Sequence, residues 1–308
     1  MRRSSDAPCV ALATYAAQPA LTPDDRLLSD ALSVRGVAAV ARPWDAAGSW
    51  DAYAGVVLRS CWDFHHRPRG FLDWVDRVAV TRTTLLNPRA LVHFNADKHY
   101  LQTLAAAGVP TVPTAWVERR PGAPALRAIL AAHGWSRAVV KPAVSASAYE
   151  TWRTSVDDAR LDEHFGELVD RLPGGMMVQP FLPEIEDAGE WSLVFFSGVF
   201  SHAVVKRPAP GDFRVQADFG GSVEAHTPRA GVIADAARAI AAAAGAARLS
   251  VADVTYARVD GIERGGRLIV LELECIEPVL FFRYAPGSAD WLAHVIVERV
   301  HDPSRAPA

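Results

Sequence analysis

The order of apolar and polar positions predicts a parallel α/β unit at the start of the chain. An apolar run is followed by an amphipathic helix and two further apolar runs, at residues 9–15, 24–35, 37–40 and 53–58. Thr22 is placed to cap the helix, Pro23 takes its first position, and Gly36 ends it. Strand, helix and strand in this order are typical of a parallel sheet.

The later part of the chain alternates helices and strands and changes character after Pro183. Helical periodicity recurs at residues 71–80, 97–107, 124–133, 158–171, 230–245 and 288–299. Strand-like runs lie at residues 138–141, 176–181, 191–196, 199–206, 256–260 and 268–273. The runs that follow Pro183 predict antiparallel strands. The pattern as a whole therefore predicts a fold of mixed α/β and α+β type.

Length and charge narrow the classes of function. A chain of 308 residues predicts about two domains or one large α/β unit. It carries 32 Lys and Arg against 35 Asp and Glu, a net charge of −3, which argues against nucleic-acid binding through bulk charge. No apolar run reaches the roughly 18 residues that a membrane helix needs. We therefore expect neither a nucleic acid nor a membrane as partner.

The cysteines indicate a reducing compartment. Cys9, Cys61 and Cys275 lie far apart with no CxxC spacing, so neither a disulfide framework nor structural zinc is expected. We expect a cytoplasmic location. The pair Arg2-Arg3 ahead of an apolar segment also resembles a short signal peptide, but the segment continues as a strand–helix unit, which favours a first β-strand.

Three carboxylates near the C-terminus are the strongest local signal for chemistry. Asp260 ends the run YARVD, and Glu272 and Glu274 lie two apart in LIVLELE, so they share one face of a strand. Acids on one face of an apolar strand repel each other, and a divalent cation relieves the repulsion. Mg²⁺ is typically held by a few carboxylates together with substrate phosphates. The alternative is an edge strand whose acids are solvated. Arg258 shares the face of Asp260 and is placed to meet a phosphate oxygen.

A lysine at a strand end indicates a site for an anion. Lys141 ends the run AVVKP, and the small residues that follow, among them Ser145 and Ser147, would expose N–H and hydroxyl groups. The alternative is a lysine that reaches from the strand end into solvent. Lys98, at the start of a helix, is by itself typical of the surface.

The order of these motifs resembles that of the ATP-grasp superfamily, most nearly its glutathione synthetase and RimK-like ligases. The resemblance covers residues 90–298, and the first 90 residues resemble the domain that precedes this fold. A subgroup that contains the cyclo-ligase of cycloserine biosynthesis, which acts on O-ureido-D-serine, is similar in the segments RSCWDFHHR, NADKHYL, VVKPAVSASA, GEWSLVFF, KRPAPGDFRVQ with DFGG, and ELECIEP.

The resemblance implies an ATP-grasp fold preceded by a pre-ATP-grasp parallel α/β domain. The substrate-side domain would span residues 1–90. An N-terminal and central subdomain with the phosphate loop would span 91–183. A C-terminal subdomain with the metal site would span 184–300, and a tail would follow over 301–308.

The resemblance also implies a binding site for ATP. The matching positions are Lys98, Lys141, Ser145, Ser147, Gln179, Pro180, Phe181, Leu182, Glu184 and Glu186. The first four would contact phosphates, and the next four would bond adenine through their backbone. One of the two glutamates would hold ribose. Asp260, Glu272 and Glu274 would bind one or two Mg²⁺ ions.

Substrate-side and catalytic positions complete the expected site. Ligands bind at the carboxyl ends of strands in open α/β sheets, where this chain has Arg59, Ser60, Trp62 and Asp63. Arg59 is suited to pair with a carboxylate, and the alternative is a surface arginine. Arg214 resembles the family arginine that stabilises the transferring phosphoryl group, with Lys206 and Arg258 adding positive charge. A solvated basic loop is the alternative.

Two departures from the family pattern stand out. The usual glycine-rich loop has no glycine over residues 144–148, so loop closure is expected to differ. Glu274 stands where the third metal ligand is commonly Asn, which adds negative charge.

The implied activity is that of an ATP-dependent ligase. The carboxylate of a small amino-acid-like substrate would be activated as an acyl phosphate and then attacked by a nitrogen nucleophile of the same or another molecule. One alternative is an intermolecular, peptide-type ligase. Others are phosphorylation without ligation and an ATP-binding regulatory protein that has lost catalysis. A homodimer is left open.

Overall fold

Three β-sheets organise the chain, and each is formed by a separate stretch of sequence. The computed structural model describes residues 8–119, 122–172, 174–209, 214–215 and 220–301. The pair Arg2-Arg3, parts of the segments KRPAPGDFRVQ and DFGG, and the predicted tail from residue 302 onward lie outside the described residues.

The first sheet is parallel, as the sequence predicts. Its strands are β1 (Cys9–Thr14), β2 (Ala38–Pro43), β3 (Gly55–Leu58) and β4 (Thr84–Leu86), in the order β2-β1-β3-β4. Two helices belong to this unit, α1 (Pro23–Val34) and α2 (Pro68–Ala79). The predicted cap is present, since the Asp25 N–H donates to Thr22 Oγ1 at 3.0 Å. The short strand β4 was not predicted.

The second sheet is antiparallel and carries the predicted phosphate loop. The elements are α3 (Arg89–Asn95), α4 (Tyr100–Ala106), β5 (Ala115–Val117), α5 (Leu126–His133), β6 (Arg137–Pro142), β7 (Trp152–Ser155), α6 (Leu161–Arg171) and β8 (Met176–Pro180). Their strand order is β5-β8-β6-β7. The single helix predicted over 97–107 is wrong in its start, because α3 ends and α4 begins on either side of Asp97–His99. The loop between β6 and β7 contains Ser145 and Ser147.

The third sheet is the antiparallel sheet that was predicted beyond Pro183. Its elements are α7 (Glu184–Asp187), β9 (Glu190–Phe196), β10 (Val199–Arg207), β11 (Ser222–Ala225), α8 (Ala230–Ala246), β12 (Tyr256–Arg264), β13 (Arg267–Glu274) and α9 (Ser288–His301). The strand order is β11-β10-β9-β12-β13. The alanines of α8 bury against β12 and β13, where small side chains allow close approach.

Buried contacts tie the first sheet to the third. Helix α9 packs against α1, and their leucines share one core with Phe196 of β9. The buried Asn87 side chain donates to the carbonyls of Tyr256 and Cys275 at 2.7 and 2.8 Å. The Tyr256 hydroxyl donates to Leu58 O at 2.6 Å. The carboxyl end of β3 is thus held beside the ends of β12 and β13. None of the described helices has the length and apolarity required to cross a membrane.

Candidate active site

A cleft of about 660 Å³ is lined by residues from all three sheet units. The predicted site residues on its wall are Trp62, Lys98, Lys141, Ser145, Ser147, Gln179, Pro180, Phe181, Leu182, Lys206, Arg214, Arg258, Asp260, Glu272 and Glu274. Those that do not line it are Arg59, Ser60, Asp63, Glu184 and Glu186. The structure therefore brings most of the predicted residues together and leaves five outside the wall.

The three predicted metal ligands lie on neighbouring strands. Asp260 of β12 pairs across the ladder with Glu272 of β13, and Arg258 pairs with Glu274. A register shift follows Asp260, at Gly261, where a Cβ would lie 2.4 Å from Ile269 O. Glycine is therefore required there, and the shift sets the direction of the strand just beyond the acids.

Buried cations surround Asp260. Its carboxylate accepts bonds from Ser192 Oγ at 2.6 Å, from Lys206 Nζ at 3.1 Å and from Arg258 Nε at 2.9 Å. Burial opposes ionisation, but the two cations outweigh it and hold the pKa of Asp260 well below its usual range. Asp260 is therefore ionised at neutral pH.

The neighbouring glutamates are less well compensated. Arg258 also bonds Glu274, yet burial dominates and raises the pKa of Glu274 to about 7. Lys206 Nζ lies 2.6 Å from Glu190 Oε1, and burial again raises the pKa of Glu190. Around these two glutamates the nearby cations therefore do not fully offset the effect of burial, and an added cation would favour their ionised form.

The donor set fits Mg²⁺ in its chemistry. Carboxylate oxygens are the ligands that this hard cation prefers, and one or two of them suffice when phosphates supply the rest. Among the described residues, no three acidic, His or Cys side chains converge on a single point. Glu272 instead pairs with Lys98 at 3.1 Å, and Glu274 pairs with Arg258. The acids are thus adjacent but turned toward protein cations.

Lysine occurs at three positions only in the whole sequence, and all three line the cleft. Lys98 is 8% exposed and donates to Ser145 O at 2.5 Å, so its ammonium is fixed to the phosphate loop. Within the described residues, the Lys141 ammonium makes no hydrogen bond or ion pair, and burial lowers its pKa. The other cationic side chains are arginines. The rarity of lysine in the sequence could therefore have marked Lys206 as a site residue, a signal that the motifs do not contain.

The predicted phosphate loop has left-handed backbone at three residues that are not glycine. Ser147, Ala148 and Glu150 have φ of 52°, 55° and 51°. Left-handed backbone is unfavourable by about 1–2 kcal/mol for an L-residue, so the surrounding contacts must hold this conformation. The loop thus reaches left-handed backbone without the glycines that usually supply it.

The predicted adenine segment lies along the cleft. Gln179 Nε2 donates to Thr114 Oγ1 at 3.0 Å, and the Phe181 N–H donates to Arg137 O at 3.0 Å. The Phe181 ring lies 4.2 Å from the Arg137 guanidinium carbon. The Leu182 carbonyl also accepts from the Ile185 N–H at 3.2 Å, so two backbone groups of the segment are already engaged in this structure.

The two glutamates expected near ribose are turned away. Glu184 forms an ion pair with Arg264, and Glu186 pairs with Arg153 at 2.8 Å. Between them, Ile185 faces the cleft. The structure thus differs from the expectation because helical spacing within α7 sends Glu184 and Glu186 away from the face that Ile185 occupies.

The first sheet contributes less than expected. Arg59 is 2% exposed, donating to Asp25 Oδ1 at 2.7 Å and Pro278 O at 2.9 Å. Ser60 is fully buried. Asp63 accepts from Trp44 Nε1 at 2.7 Å. Trp62 lines the cleft and donates to Glu277 O at 3.2 Å. Arg59, Ser60 and Asp63 therefore do not line the cleft as expected, although Arg59 Nη1 and Ser60 Oγ have no hydrogen-bond partner within the described residues.

Several cleft residues were missed by sequence reasoning. They are Asp24, Glu190, Glu277 and Arg283. Burial raises the pKa of Glu277 well above its usual value. Glu190 was recognisable only as part of the GEWS motif. Nothing in the sequence separates Asp24 from its neighbour Asp25, since both are typical of the first turn of a helix.

Comparison with known proteins finds relatives that match most of the chain. A family model described as the N-terminal domain of D-cycloserine synthetase DcsG matches residues 10–87. Cycloserine biosynthesis protein DcsG of Streptomyces lavendulae is 34% identical over 309 residues, covering 94% of this chain and 98% of that protein. The crystal structure of D-cycloserine synthetase DcsG matches with a TM-score of 0.83 and 33% identity, covering 95% of this chain and 99% of the other.

More distant structures share the fold. ATP-grasp ligase PsnB, complexed with a minimal precursor, has a TM-score of 0.62 at 18% identity and covers 96% of this chain and 100% of its own. D-alanine–D-alanine ligase from Bacillus anthracis, complexed with ATP, has a TM-score of 0.63 at 14% identity and covers 97% and 99%. Identities this low show the fold alone.

Proposed function

The chain belongs to the D-cycloserine synthetase family and has the ATP-grasp fold, and we propose on this basis that it closes a ring in O-ureido-D-serine as an ATP-dependent ligase of cycloserine biosynthesis. The substrate carboxylate attacks the γ-phosphate of ATP, giving an acyl phosphate and ADP. A nitrogen of the same molecule then displaces phosphate. The site residues act in these two steps as follows.

The observation that carries the proposal is the pairing of charges across one cleft. Lys98 and Lys141 lie on one side, beside a loop rich in N–H and hydroxyl groups. Asp260 and Glu272 lie on adjacent strands of another sheet and complete the wall. Cations that bind phosphate and carboxylates that bind a divalent ion are the two requirements of phosphoryl transfer. We propose that both groups surround the triphosphate of bound ATP.

The first step uses the charged wall. Bound Mg²⁺ would neutralise the charge that develops on the transferring phosphoryl group. Asp260, Glu272 and Glu274 are the residues proposed to hold it, as one ion or two. Lys141, which has no protein partner within the described residues, is free to contact a phosphate oxygen.

The second step needs the acyl phosphate to be kept from water. Arg214 lines the cleft and is proposed to stabilise its oxygens. Lys98 bonds Ser145 and so holds the loop at the cleft. From this position Ser145 and Ser147 would cover the phosphates. Exclusion of water favours ring closure over hydrolysis.

The decisive experiment measures Mg²⁺-dependent release of ADP with hydroxylamine present, across D- and L-amino acids that include O-ureido-D-serine. Hydroxylamine traps acyl phosphates as hydroxamates. We expect ADP and hydroxamate with O-ureido-D-serine, and a cyclised product when hydroxylamine is omitted. Product mass separates cyclisation from phosphorylation alone and from intermolecular ligation.

Two results would contradict the proposal. ATP binding without turnover of any amino acid would favour a regulatory protein. Turnover only when a second amine is supplied would favour the intermolecular ligase. The number of metal ions is measured in the same assay by titrating Mg²⁺ against a fixed concentration of ATP. For the cell we propose a cytoplasmic location, which fractionation tests.

A further inference from the structure

Two adjacent aspartates at the start of α1 have different surroundings. Asp24 and Asp25 are both buried, at 6% and 2% exposed. Asp25 is saturated, because its oxygens accept from Thr22 Oγ1 at 2.8 Å and from Arg59 Nε at 2.7 Å. Asp24 Oδ2 has no hydrogen-bond partner within the described residues. Its Oδ1 accepts one long bond of 3.5 Å, from the Arg283 N–H.

A buried carboxylate oxygen without a donor calls for an explanation. Most buried polar atoms in native proteins have a partner, and the exceptions often belong to ligand sites. Arg59 donates no hydrogen bond to this oxygen: its Nε bonds Asp25, its Nη2 bonds Pro278 O, and its Nη1 has no partner within the described residues. Asp24 lines the cleft. A donor can therefore come from a molecule bound there.

The charge of Asp24 favours a cationic donor. Burial raises the pKa of Asp24 despite the opposing charges of Arg59 and Arg283, and Asp25 adds to the rise. A ligand ammonium would relieve this by supplying both a positive charge and hydrogen bonds. Asp24 also belongs to the first sheet unit, whereas the proposed metal ligands belong to the third. A substrate with its carboxylate at the metal could thus present a second group to α1.

We propose that Asp24 binds the α-ammonium group of the amino-acid substrate and so makes the enzyme select amino acids over carboxylic acids that lack this group. The proposal rests on the ligase function proposed above. Asp24 acts as a specificity-determining residue, and Asp25 holds Arg59 and the helix start. The neighbouring Arg283 faces the same part of the cleft.

The test compares two substrates in two enzymes. One substrate is O-ureido-D-serine, and the other is its analogue with hydrogen in place of the α-ammonium group, which keeps the carboxylate and the ureido nitrogen. We expect the wild type to prefer the first by at least about 100-fold in kcat/KM, since sites built to bond a polar group reject analogues without it. In D24N this preference should collapse, mainly through a higher KM for the amino acid, with the KM for ATP unchanged.

Further variants separate recognition from folding. D24E keeps the charge and should retain a preference for the amino acid. D30N removes an exposed acid from the same helix and should match the wild type. An equal loss of kcat/KM for both substrates in D24N would make Asp24 merely structural and overturn the proposal, as would a wild type that does not discriminate. A wild type that turns over no amino acid at all overturns the ligase function first, before any variant is measured.

Discussion

Asp235 and Asp260 are both buried acids paired with arginine, yet their surroundings differ in charge balance. Asp235 of α8 accepts from Arg267 Nε at 2.8 Å and from the Leu268 N–H at 2.9 Å, and it pairs with Arg238. Burial opposes its ionisation, but these partners lower its pKa. Its two arginines are about half exposed, so their charge is shared with water.

Asp260 lies instead in a cluster that stays unbalanced. Its partners Lys206 and Arg258 are themselves buried, at 6% and 7% exposed. Glu190 and Glu274 add charge that burial disfavours, as their raised pKa shows. The Asp235 network closes on itself and stabilises the fold. The Asp260 cluster holds charges that a bound metal and phosphates would complete.

The Asp235 network and the cleft also differ in which basic residues they contain. The Asp235 network uses arginine only, and each of the three lysines in the sequence lies in the cleft. Arginine gives a planar, fixed set of donors that suits a permanent ion pair. Lysine is a compact charge on a flexible stem and suits a phosphate that comes and goes.

The largest expected effect is a loss of turnover, without a loss of stability, when a charged side chain of the cleft is removed. K141A and E272Q should each lower kcat by about 100-fold or more, because removing one preorganised charge from such a site has an effect of this size. K141A breaks no hydrogen bond or ion pair of the side chain, and E272Q weakens only the partly exposed pair of Glu272 with Lys98, so thermal unfolding should stay close to wild type. Steady-state ADP release and calorimetry check this. Turnover at the wild-type rate in either variant would count against the assignment of the cleft.

D260N should affect both activity and stability, which tests whether the cleft acid is also a fold element. It leaves Lys206 and Arg258 buried without their shared carboxylate, and breaking such a pair lowers stability by about 3–5 kcal/mol. Urea unfolding and ADP release measured on the same preparation test this. Unchanged stability with lost turnover would show that water or Glu190 compensates the cations.

Chemical labelling tests whether lysine is confined to the cleft. Reductive methylation can modify the N-terminus and three side chains only, so loss of activity should follow the modification of Lys98, Lys141 and Lys206. ATP with Mg²⁺ at ten times its Kd should slow that loss about tenfold, in proportion to the fraction of free enzyme. Mass spectrometry identifies the modified residues. Inactivation at the same rate with and without nucleotide would place the lysines outside its site.

D235N should affect stability alone, and by the smallest amount. Replacing one partner of a largely buried hydrogen-bonded pair lowers stability by about 1–3 kcal/mol, or a few degrees in Tm for a chain of this size. Asp235 lies outside the cleft, so turnover should match the wild type. Loss of turnover at full stability would show that this network also acts on the site.

The difference in stability between wild type and D235N should depend on pH in one direction. The folded pKa of Asp235 is below its ordinary value, so its stabilisation is present above the unfolded pKa of about 4 and disappears as pH falls through the folded pKa. The gap in Tm between wild type and D235N should therefore be constant near neutral pH and shrink below about pH 4. A gap that widens on acidification would contradict the direction of the shift.

Short-range pattern determined much of this protein. Strands β1, β3 and β12, helices α1 and α8, and the shared cleft face of Glu272 and Glu274 follow from spacing within a few residues. The lysines and acids of the site follow one another along the chain in the order that ATP-grasp ligases have. The resemblance to that superfamily rests on this order. The short strands β4, β5, β7 and β11 were not predicted, because three or four residues outside a longer apolar run carry no usable periodicity.

Only the tertiary structure decided which charged groups face the cleft. Arg59 follows a strand as a ligand residue would, but its partners Asp25 and Pro278 come from distant parts of the chain and bury it. Asp24 and Asp25 are equivalent by sequence, and packing saturates one and leaves the other with an unpartnered oxygen. Burial and pairing are non-local, since each depends on side chains that the fold brings together. Local spacing therefore determined which residues can do the chemistry, and the fold selected those that are placed to do it.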